Sequence, residues 1–190
     1  MPRGPAGTFD RPSSGHLPAF SKIRDGSIIT MFDKTPPALG ADDVVCPHFV
    51  ELKWANGCNF DCAWCYLNGT FRFRPMGKKP YMKDLDRVKG DLLEFFGTVR
   101  QPILLNSGEL SDSLLFEGNG SALSKLIVPL FKEQARHKLL VVTKSANVDK
   151  LLKTNSQDRV IVSFSINSLK VAKKWEKKAP SPSARIRAAR

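Results

Sequence analysis

Two kinds of apolar segment are missing from this 190-residue sequence. It has no run of about 18 or more apolar residues, so we expect no membrane-spanning helix. Its N-terminal segment, MPRGPAGTFDRPSSGHLPAF, has no apolar stretch of the kind found in secretory signals. The Arg and Ser in this segment fit either a transit peptide or a disordered leader, and we favour the leader. We therefore predict a cytoplasmic protein.

Acidic residues are scarce as well. The chain has 18 Asp and Glu against 30 Lys and Arg, which gives a formal net charge of +12. Such an excess favours anionic partners, and nucleic acid is the first of these to consider. A basic surface without a dedicated partner would have the same composition, and charge alone does not separate the two interpretations.

Cysteine is also infrequent, and no cysteine follows Cys65. Cys58, Cys62 and Cys65 are three of the four cysteines, and they have the spacing C-x3-C-x2-C. This clustering is not that of a disulfide framework. In a chain without an export signal it indicates metal binding or redox chemistry.

Three thiolates at this spacing suit an iron–sulfur cluster better than zinc. A [4Fe–4S] cluster held by three cysteines leaves one iron open to a chelating cofactor, and S-adenosylmethionine (SAM) offers an amine and a carboxylate for this purpose. Structural zinc takes four ligands in paired spacing, and Cys46 and His48 are candidates to complete such a set. We favour the cluster and keep zinc as the alternative.

The chain divides into an irregular leader, residues 1–45, and a core, residues 46–190. The leader is rich in Gly, Pro and Ser and contains one candidate short strand at 27–32. In the core, apolar runs predict strands at 48–55, 102–106, 138–143 and 159–166. Helical spacing and start signals predict helices at 81–96, 121–136 with a kink at Pro129, 147–153 and 181–190. This alternation predicts an α/β fold with a parallel sheet of about four β/α units.

A polar cluster follows each predicted strand, at 58–68, 107–113, 144–147 and 165–167. Functional residues of β/α barrels lie on the loops after the carboxyl ends of the strands. We therefore expect these four clusters to meet in one site.

The sequence stops after four such units, which would leave the last strand of an open sheet uncovered. We expect the chain to be a fragment or a truncated gene product, with edge pairing to a second subunit as the alternative.

The segment GCNFDCAWCYLNGTFRF resembles the cluster loop of radical SAM enzymes, most closely that of spore photoproduct lyase and the DNA-repair-photolyase-like proteins. NSGELSDSL, VVTKSANVDKLL and VIVSFSIN follow in the same order as similar segments of those proteins. The resemblance extends from about Cys46 to Arg190. It implies a partial (β/α)6 barrel with SAM lying across the strand ends and a [4Fe–4S] cluster on Cys58, Cys62 and Cys65.

The resemblance also implies roles for other residues. Tyr66, next to the third cysteine, matches a tyrosine proposed to relay hydrogen. The segment Ser107-Gly108-Glu109 is similar to the Gly-Gly-Glu motif that meets the SAM amine. Further polar positions near SAM match Ser111, Lys144, Ser165 and Asn167. Read without the resemblance, Tyr66 is a packing aromatic, Glu109 is a solvated loop acid or a helix cap, Lys144 is a surface lysine, and Ser165 and Asn167 end a strand.

One position departs from the lyase pattern. Glu109 stands where the lyase has a cysteine that donates hydrogen to the product radical, and Glu cannot donate a hydrogen atom as a thiol does. The leading hypothesis is a radical SAM enzyme that acts on a DNA or nucleotide lesion, with an external electron donor such as flavodoxin or ferredoxin. The alternatives are a catalytically incomplete cluster-binding fragment or interaction module, and a basic nucleic-acid-binding protein with structural zinc.

Overall fold

The computed structural model of the chain describes residues 21–31, 49–118, 123–156 and 158–190. The strands are β1 (Ile29–Met31), β2 (Val50–Leu52), β3 (Ala55–Asn56), β4 (Tyr81–Met82), β5 (Leu104–Asn106), β6 (Lys138–Thr143) and β7 (Val160–Phe164). The helices are α1 (Leu67–Thr70), α2 (Leu85–Thr98), α3 (Leu123–Leu126), α4 (Val128–Lys132), α5 (Asp149–Leu152), α6 (Leu169–Trp175) and α7 (Pro182–Ala188). Within these described ranges, no helix has the length and apolar character needed to cross a membrane.

The main sheet has the strand order β1-β2-β5-β6-β7. Strands β2, β5, β6 and β7 are parallel, whereas β1 pairs with β2 in the antiparallel sense. This confirms the predicted α/β class and the four β/α units, and the sheet is open rather than closed into a barrel. The candidate strand at 27–32 is confirmed as β1, so part of the predicted leader belongs to the sheet. The division at residues 45 and 46 stays a prediction, because residues 32–48 lie outside the described ranges.

The predicted strand at 48–55 is two strands in the structure. β2 belongs to the main sheet, while β3 leaves it and pairs with β4 in a separate two-stranded sheet, with Ala55 opposite Met82. The predicted helix at 81–96 therefore begins later, at Leu85. Its start is set by Asp84, whose carboxylate accepts hydrogen bonds from the main-chain N–H groups of Asp86 and Arg87.

Helix α2 supplies one side of the core. Val88, Leu92 and Phe95 are buried at helical spacing and belong to the same apolar cluster as Leu105 of β5 and Leu139 of β6. Each such buried side chain contributes about 1.5–3 kcal/mol relative to an exposed one. This burial fixes the sheet, and with it the positions of the loops that leave its carboxyl ends.

The helical segment predicted at 121–136 is interrupted, but the break lies at Ile127 rather than at Pro129. Residues 123–132 form α3 and α4, and Pro129 lies in the first turn of α4, where its missing N–H has no helical partner to lose. Helix α6 was not predicted; it begins after Ser168, whose hydroxyl accepts a hydrogen bond from the Val171 N–H. Helix α7 begins in the same way behind Ser181.

Strand β7 ends the sheet. No strand of the described residues pairs with its outer edge, and Ile161 and Val162 are 43% and 37% exposed. The exposed edge predicted for the last strand is therefore present in the structure.

Candidate active site

Four loops at the carboxyl ends of the strands surround one cavity of about 240 Å³. They are the cysteine loop after β3 and the loops after β5, β6 and β7. The lining residues are Cys58, Phe60, Cys62, Trp64, Cys65, Tyr66, Leu67, Gly108, Ser111, Asp112, Val142, Thr143, Lys144 and Ser165. The polar clusters that follow the predicted strands thus meet in one place.

The cysteine loop is fixed at both ends by main-chain hydrogen bonds. At its start Gly57 has φ +80°, and a Cβ there would lie 2.5 Å from the Lys78 carbonyl oxygen, so this turn requires glycine. The next N–H, that of Cys58, donates to the same oxygen at 3.0 Å. Further along, Cys62 forms a β-bridge with Glu176, and the Ala63 N–H donates to the Trp175 carbonyl at 2.9 Å. Elements far apart in sequence therefore set the position of the loop.

The three cysteines fit a cluster in their chemistry and placement. Each is a free thiol, and each lines the same cavity, with Cys62 buried and Cys58 and Cys65 partly exposed. Among the described residues, no three His, Cys, Asp or Glu side chains are arranged to hold a single metal ion. A cluster does not require that arrangement, because each thiolate binds a different iron and the three thiols need only face one space.

Burial dominates the titration of these thiols. It raises the pKa of Cys58 to about 11, against the partial opposition of the Phe60 and Asp112 main-chain N–H groups. Burial also raises the pKa of Cys62, while the nearby Lys144 ammonium acts in the opposite direction. Because thiolates are the metal-binding form, metal entry would displace protons from these sulfurs.

The loop after β5 packs tightly against β6. A Cβ on Gly108 would lie 2.7 Å from the Val142 Cβ and 2.9 Å from its carbonyl oxygen. The Asn106 side chain accepts from the Gly108 N–H at 2.9 Å, which turns the chain immediately after the strand. Ser107 points into the protein, where its hydroxyl contacts Ser113 and the Leu140 carbonyl. Glycine at position 108 thus allows the loop to reach the cavity wall.

Asp112 joins two of the loops and was not among the predicted site residues. Its carboxylate accepts from the Thr143 hydroxyl at 2.7 Å and from the Lys144 N–H at 2.6 Å. Burial raises its pKa, although these hydrogen bonds favour the charged form. Its position next to Ser111 in the polar cluster after β5 was the signal available in the sequence.

Tyr66 and Glu109 are in contact across the mouth of the site. The Tyr66 hydroxyl donates to the Glu109 carboxylate at 2.8 Å and contacts the Glu109 carbonyl oxygen. Burial, followed by this hydrogen bond, raises the pKa of Tyr66. Tyr66 is therefore a neutral hydrogen-bond donor. Its partner, Glu109, is the residue at the position where the resemblance places a thiol.

A buried ion pair supports the loop after β7. Arg185 of α7 and Glu176 are both fully buried and lie 2.6 Å apart, from Nη2 to Oε2. Arg185 also donates to the Ser165 carbonyl at 2.8 Å, and the Asn167 amide donates to the other Glu176 oxygen at 2.8 Å. Neither charged residue was predicted, because in sequence both read as exposed members of a basic tail.

Eight of the eleven predicted site residues line the cavity: Cys58, Cys62, Cys65, Tyr66, Gly108, Ser111, Lys144 and Ser165. Ser107, Glu109 and Asn167 are not among its lining residues. Ser107 and Asn167 use their side chains in internal hydrogen bonds, and Glu109 lies beside Tyr66. Cys46 and His48, the additional candidates for zinc, lie outside the described residues.

Comparison with known proteins gives one consistent family. The model of the family described as spore photoproduct lyase matches residues 50–190. The spore photoproduct lyase of Clostridium acetobutylicum is 31% identical over 143 residues, which cover 73% of this chain and 41% of the relative. The chain thus spans about two fifths of the length of that curated relative.

Solved structures agree on the fold. Spore photoproduct lyase complexed with dinucleoside spore photoproduct superposes with a TM-score of 0.67 at 23% identity, over 74% of this chain and 41% of that one. A mutant with bound AdoMet and dinucleoside spore photoproduct gives a TM-score of 0.66 at 23% identity, over 75% and 41% of the two chains. The open parallel sheet is therefore the fold that these lyase structures share over the matched region.

Proposed function

Because the chain belongs to the spore photoproduct lyase family, we propose that it is a radical SAM protein with a [4Fe–4S] cluster on Cys58, Cys62 and Cys65 and SAM in the cavity beside them. One observation carries this proposal: the three thiols and the polar residues after β5, β6 and β7 line the same cavity. When bound, a reduced [4Fe–4S] cluster on these thiols would supply one electron to SAM, whose C5′–S bond would break to give methionine and a 5′-deoxyadenosyl radical.

The chain's own residues would hold the cofactor in place. The Lys144 ammonium would pair with the carboxylate of SAM, and the hydroxyls of Ser111 and Ser165 would offer SAM hydrogen bonds from two further loops. Gly108 lets the main chain approach closely. Asp112 fixes the Lys144 loop through its two hydrogen bonds, so it is a positioning residue in this proposal.

Three of the residues assigned from the resemblance act less directly. Ser107 and Asn167 support the loops from inside, through Ser113 and Glu176 respectively. Glu109 holds the hydroxyl of Tyr66. We assign a hydrogen relay to Tyr66 because it matches the tyrosine next to the third cysteine in the family. The carboxyl group at position 109 cannot take over the role of a thiol hydrogen donor.

We propose a lesion in DNA or a nucleotide as the substrate and a flavodoxin or ferredoxin as the electron donor. The family supports the substrate class, since the structurally similar lyases contain a dinucleoside photoproduct. The alternative is that this chain binds the cluster but does not turn over a lesion. Its support is that the chain spans 41% of the length of its relative.

The test is anaerobic reconstitution of the full chain with iron and sulfide. We expect a brown protein with about four irons per chain that releases 5′-deoxyadenosine when given dithionite and SAM. Cys62→Ala should lose the cluster, whereas Cys46→Ala, which removes the cysteine outside the triplet, should keep it. A brown protein that never cleaves SAM would support the alternative, and a colourless protein with stoichiometric zinc would refute both.

A further inference from the structure

A second, larger cavity of about 610 Å³ lies beside β3 and β4. Six of its lining residues carry the inference: Lys53, Asn56, Arg74, Tyr81, Lys83 and Leu110. Its volume is in the range of about 300–1,000 Å³ that is typical of small-molecule sites. None of these six side chains has a place in the chemistry proposed for the first cavity.

The two cavities share a wall. Leu110 lines the second cavity, while Gly108 and Ser111 on either side of it line the first. The Gly57 N–H donates to the Leu110 carbonyl at 2.8 Å and joins this loop to the start of the cysteine loop. A ligand in the second cavity is therefore held next to the cysteine site without entering it.

The second cavity carries positive charge that the protein only partly neutralises. Lys53 forms an ion pair with Glu51 at 3.2 Å. Lys83 contacts the Ser27 carbonyl oxygen, an uncharged partner, and Arg74 has no carboxylate partner within the described residues. Burial, and then repulsion from nearby cations, lowers the pKa of Lys83 to about 8, and attraction to Asp25 opposes this effect. The repelling cations are Lys53, Arg74 and Arg87.

Polar atoms in the wall lack partners. The Tyr81 hydroxyl accepts from the Asn56 amide at 2.9 Å and from the Arg74 guanidinium at 3.4 Å, so its own proton is free to donate. Asn56 is 4% exposed, and its side-chain oxygen has no hydrogen-bond partner in the described part of the chain. Buried polar atoms are rarely left unpaired. The cavity thus offers cations and a hydroxyl donor to an anion, and one buried acceptor to an N–H group.

We propose that the second cavity is a nucleotide subsite, in which Arg74, Lys83 and the Tyr81 hydroxyl bind a phosphate and Asn56 accepts a hydrogen bond from the base. A nucleotide combines an anionic phosphate with a base that carries N–H donors, which matches the unsatisfied groups of the wall. This assignment rests on the proposed function, because it places a neighbouring unit of the nucleic-acid strand beside the radical site.

Phe73, the residue before Arg74 in the chain, has an exposed aromatic ring. Its ring is 85% exposed, and the Arg72 guanidinium lies 4.4 Å from the ring centroid. Exposed aromatic rings flanked by cations are the usual stacking platforms for single-stranded nucleic acids. Because Phe73 is next to Arg74 in the chain, we include this ring in the proposal as a stacking platform for a neighbouring base.

The test is fluorescence anisotropy of a fluorescein-labelled single-stranded decathymidylate, titrated with the full reconstituted chain over a range of salt concentrations. Arg74→Gln should weaken binding about tenfold. It should also make the binding less dependent on salt, so that the negative slope of log K against log salt becomes shallower by about 0.7, the value for one lost phosphate contact on a single strand. Tyr81→Phe, which removes only the hydroxyl, should weaken binding less. Lys153→Ala, which removes an exposed cation at the end of α5, is the matched control for net charge and should bind like the wild type.

Competition identifies the ligand class. Thymidine monophosphate should displace the oligonucleotide at a lower concentration than inorganic phosphate does. Equal effects of Arg74→Gln and Lys153→Ala, or no binding by the wild type, would overturn the subsite. Equal competition by inorganic phosphate would overturn the base contact. The wild type's release of 5′-deoxyadenosine is measured separately, so a protein that binds the strand at this subsite but cannot cleave SAM would refute the proposed function and leave the subsite standing.

Discussion

Replacing Arg185 by Met should strongly destabilise the protein. Arg185 and Glu176 are fully buried, and Arg185 also donates to the main-chain carbonyls of Ser165 and Pro180 at 2.8 Å each. Methionine keeps an unbranched side chain but leaves the Glu176 carboxylate buried without a counter-ion. Removing one partner of a buried pair costs about 3–5 kcal/mol, which is a large part of the roughly 5–15 kcal/mol that stabilises a domain.

Urea unfolding followed by far-UV circular dichroism measures this loss. The matched control is Arg187→Met, two residues along the same helix and exposed, which should change the free energy of unfolding by no more than about 0.5 kcal/mol. The double variant Arg185→Met with Glu176→Met should be more stable than the single variant, because it no longer buries an unpaired charge.

The same variants report on the site. Cys62 forms a β-bridge with Glu176, so Arg185→Met should also lower the iron content after reconstitution, and Arg187→Met should not. A stability loss below about 1 kcal/mol, or a double variant no better than the single one, would refute our reading of this ion pair as a buried support of the cysteine loop.

Three further predictions concern the core and the loops. His137 is fully buried against Phe95 and Phe96, and burial lowers its pKa to about 4. As the pH falls, the imidazole is therefore protonated in the unfolded chain before it is protonated in the folded one, so the free energy of unfolding should fall by about 2 kcal/mol from pH 7 to pH 5. Urea titrations at the two pH values measure this fall, which should be smaller in His137→Phe. Gly57→Ala should lower the free energy of unfolding by at least about 1–2 kcal/mol, because position 57 has a positive φ and the added Cβ would meet the Lys78 carbonyl oxygen. Gly69→Ala should not destabilise the protein, because Gly69 has open space around it. Equal thermal midpoints for the two variants would contradict this prediction. Asp112→Ala should weaken SAM binding in equilibrium dialysis without loss of iron, since it frees the Lys144 loop; unchanged binding would remove its positioning role.

Local sequence predicted the fold best where each element is self-contained. β6 has the predicted bounds, because KLLVVT is a short apolar run that alternates between the two faces of a buried sheet. The region around β3 and β4 was predicted less well. Tyr81–Met82 continues the helical period of α2, yet it pairs with Ala55–Asn56 far back in the sequence. Nothing local to either segment encodes that pairing.

The candidate site shows the same division. Its cavity was predicted because the carboxyl ends of parallel strands meet at one edge, so polar residues after separate strands become neighbours. Arg185 and Glu176 were missed because charged residues are rarely buried unless paired, and the pairing depends on how α6 and α7 fold back. Asp112 was missed as a site residue because its partners are Thr143, at the end of β6, and Lys144, in the loop after it.

The main-chain bonds between the cysteine loop and residues 175–178 have a consequence for how the protein is made. The Ala63 N–H bonds to the Trp175 carbonyl, and the Lys178 N–H bonds to the Phe60 carbonyl. During synthesis the thiols leave the ribosome more than a hundred residues ahead of these partners. These hydrogen bonds can form only after residues 175–178 have emerged, so we expect any metal centre on these thiols to be inserted after that segment rather than when the cysteines themselves appear.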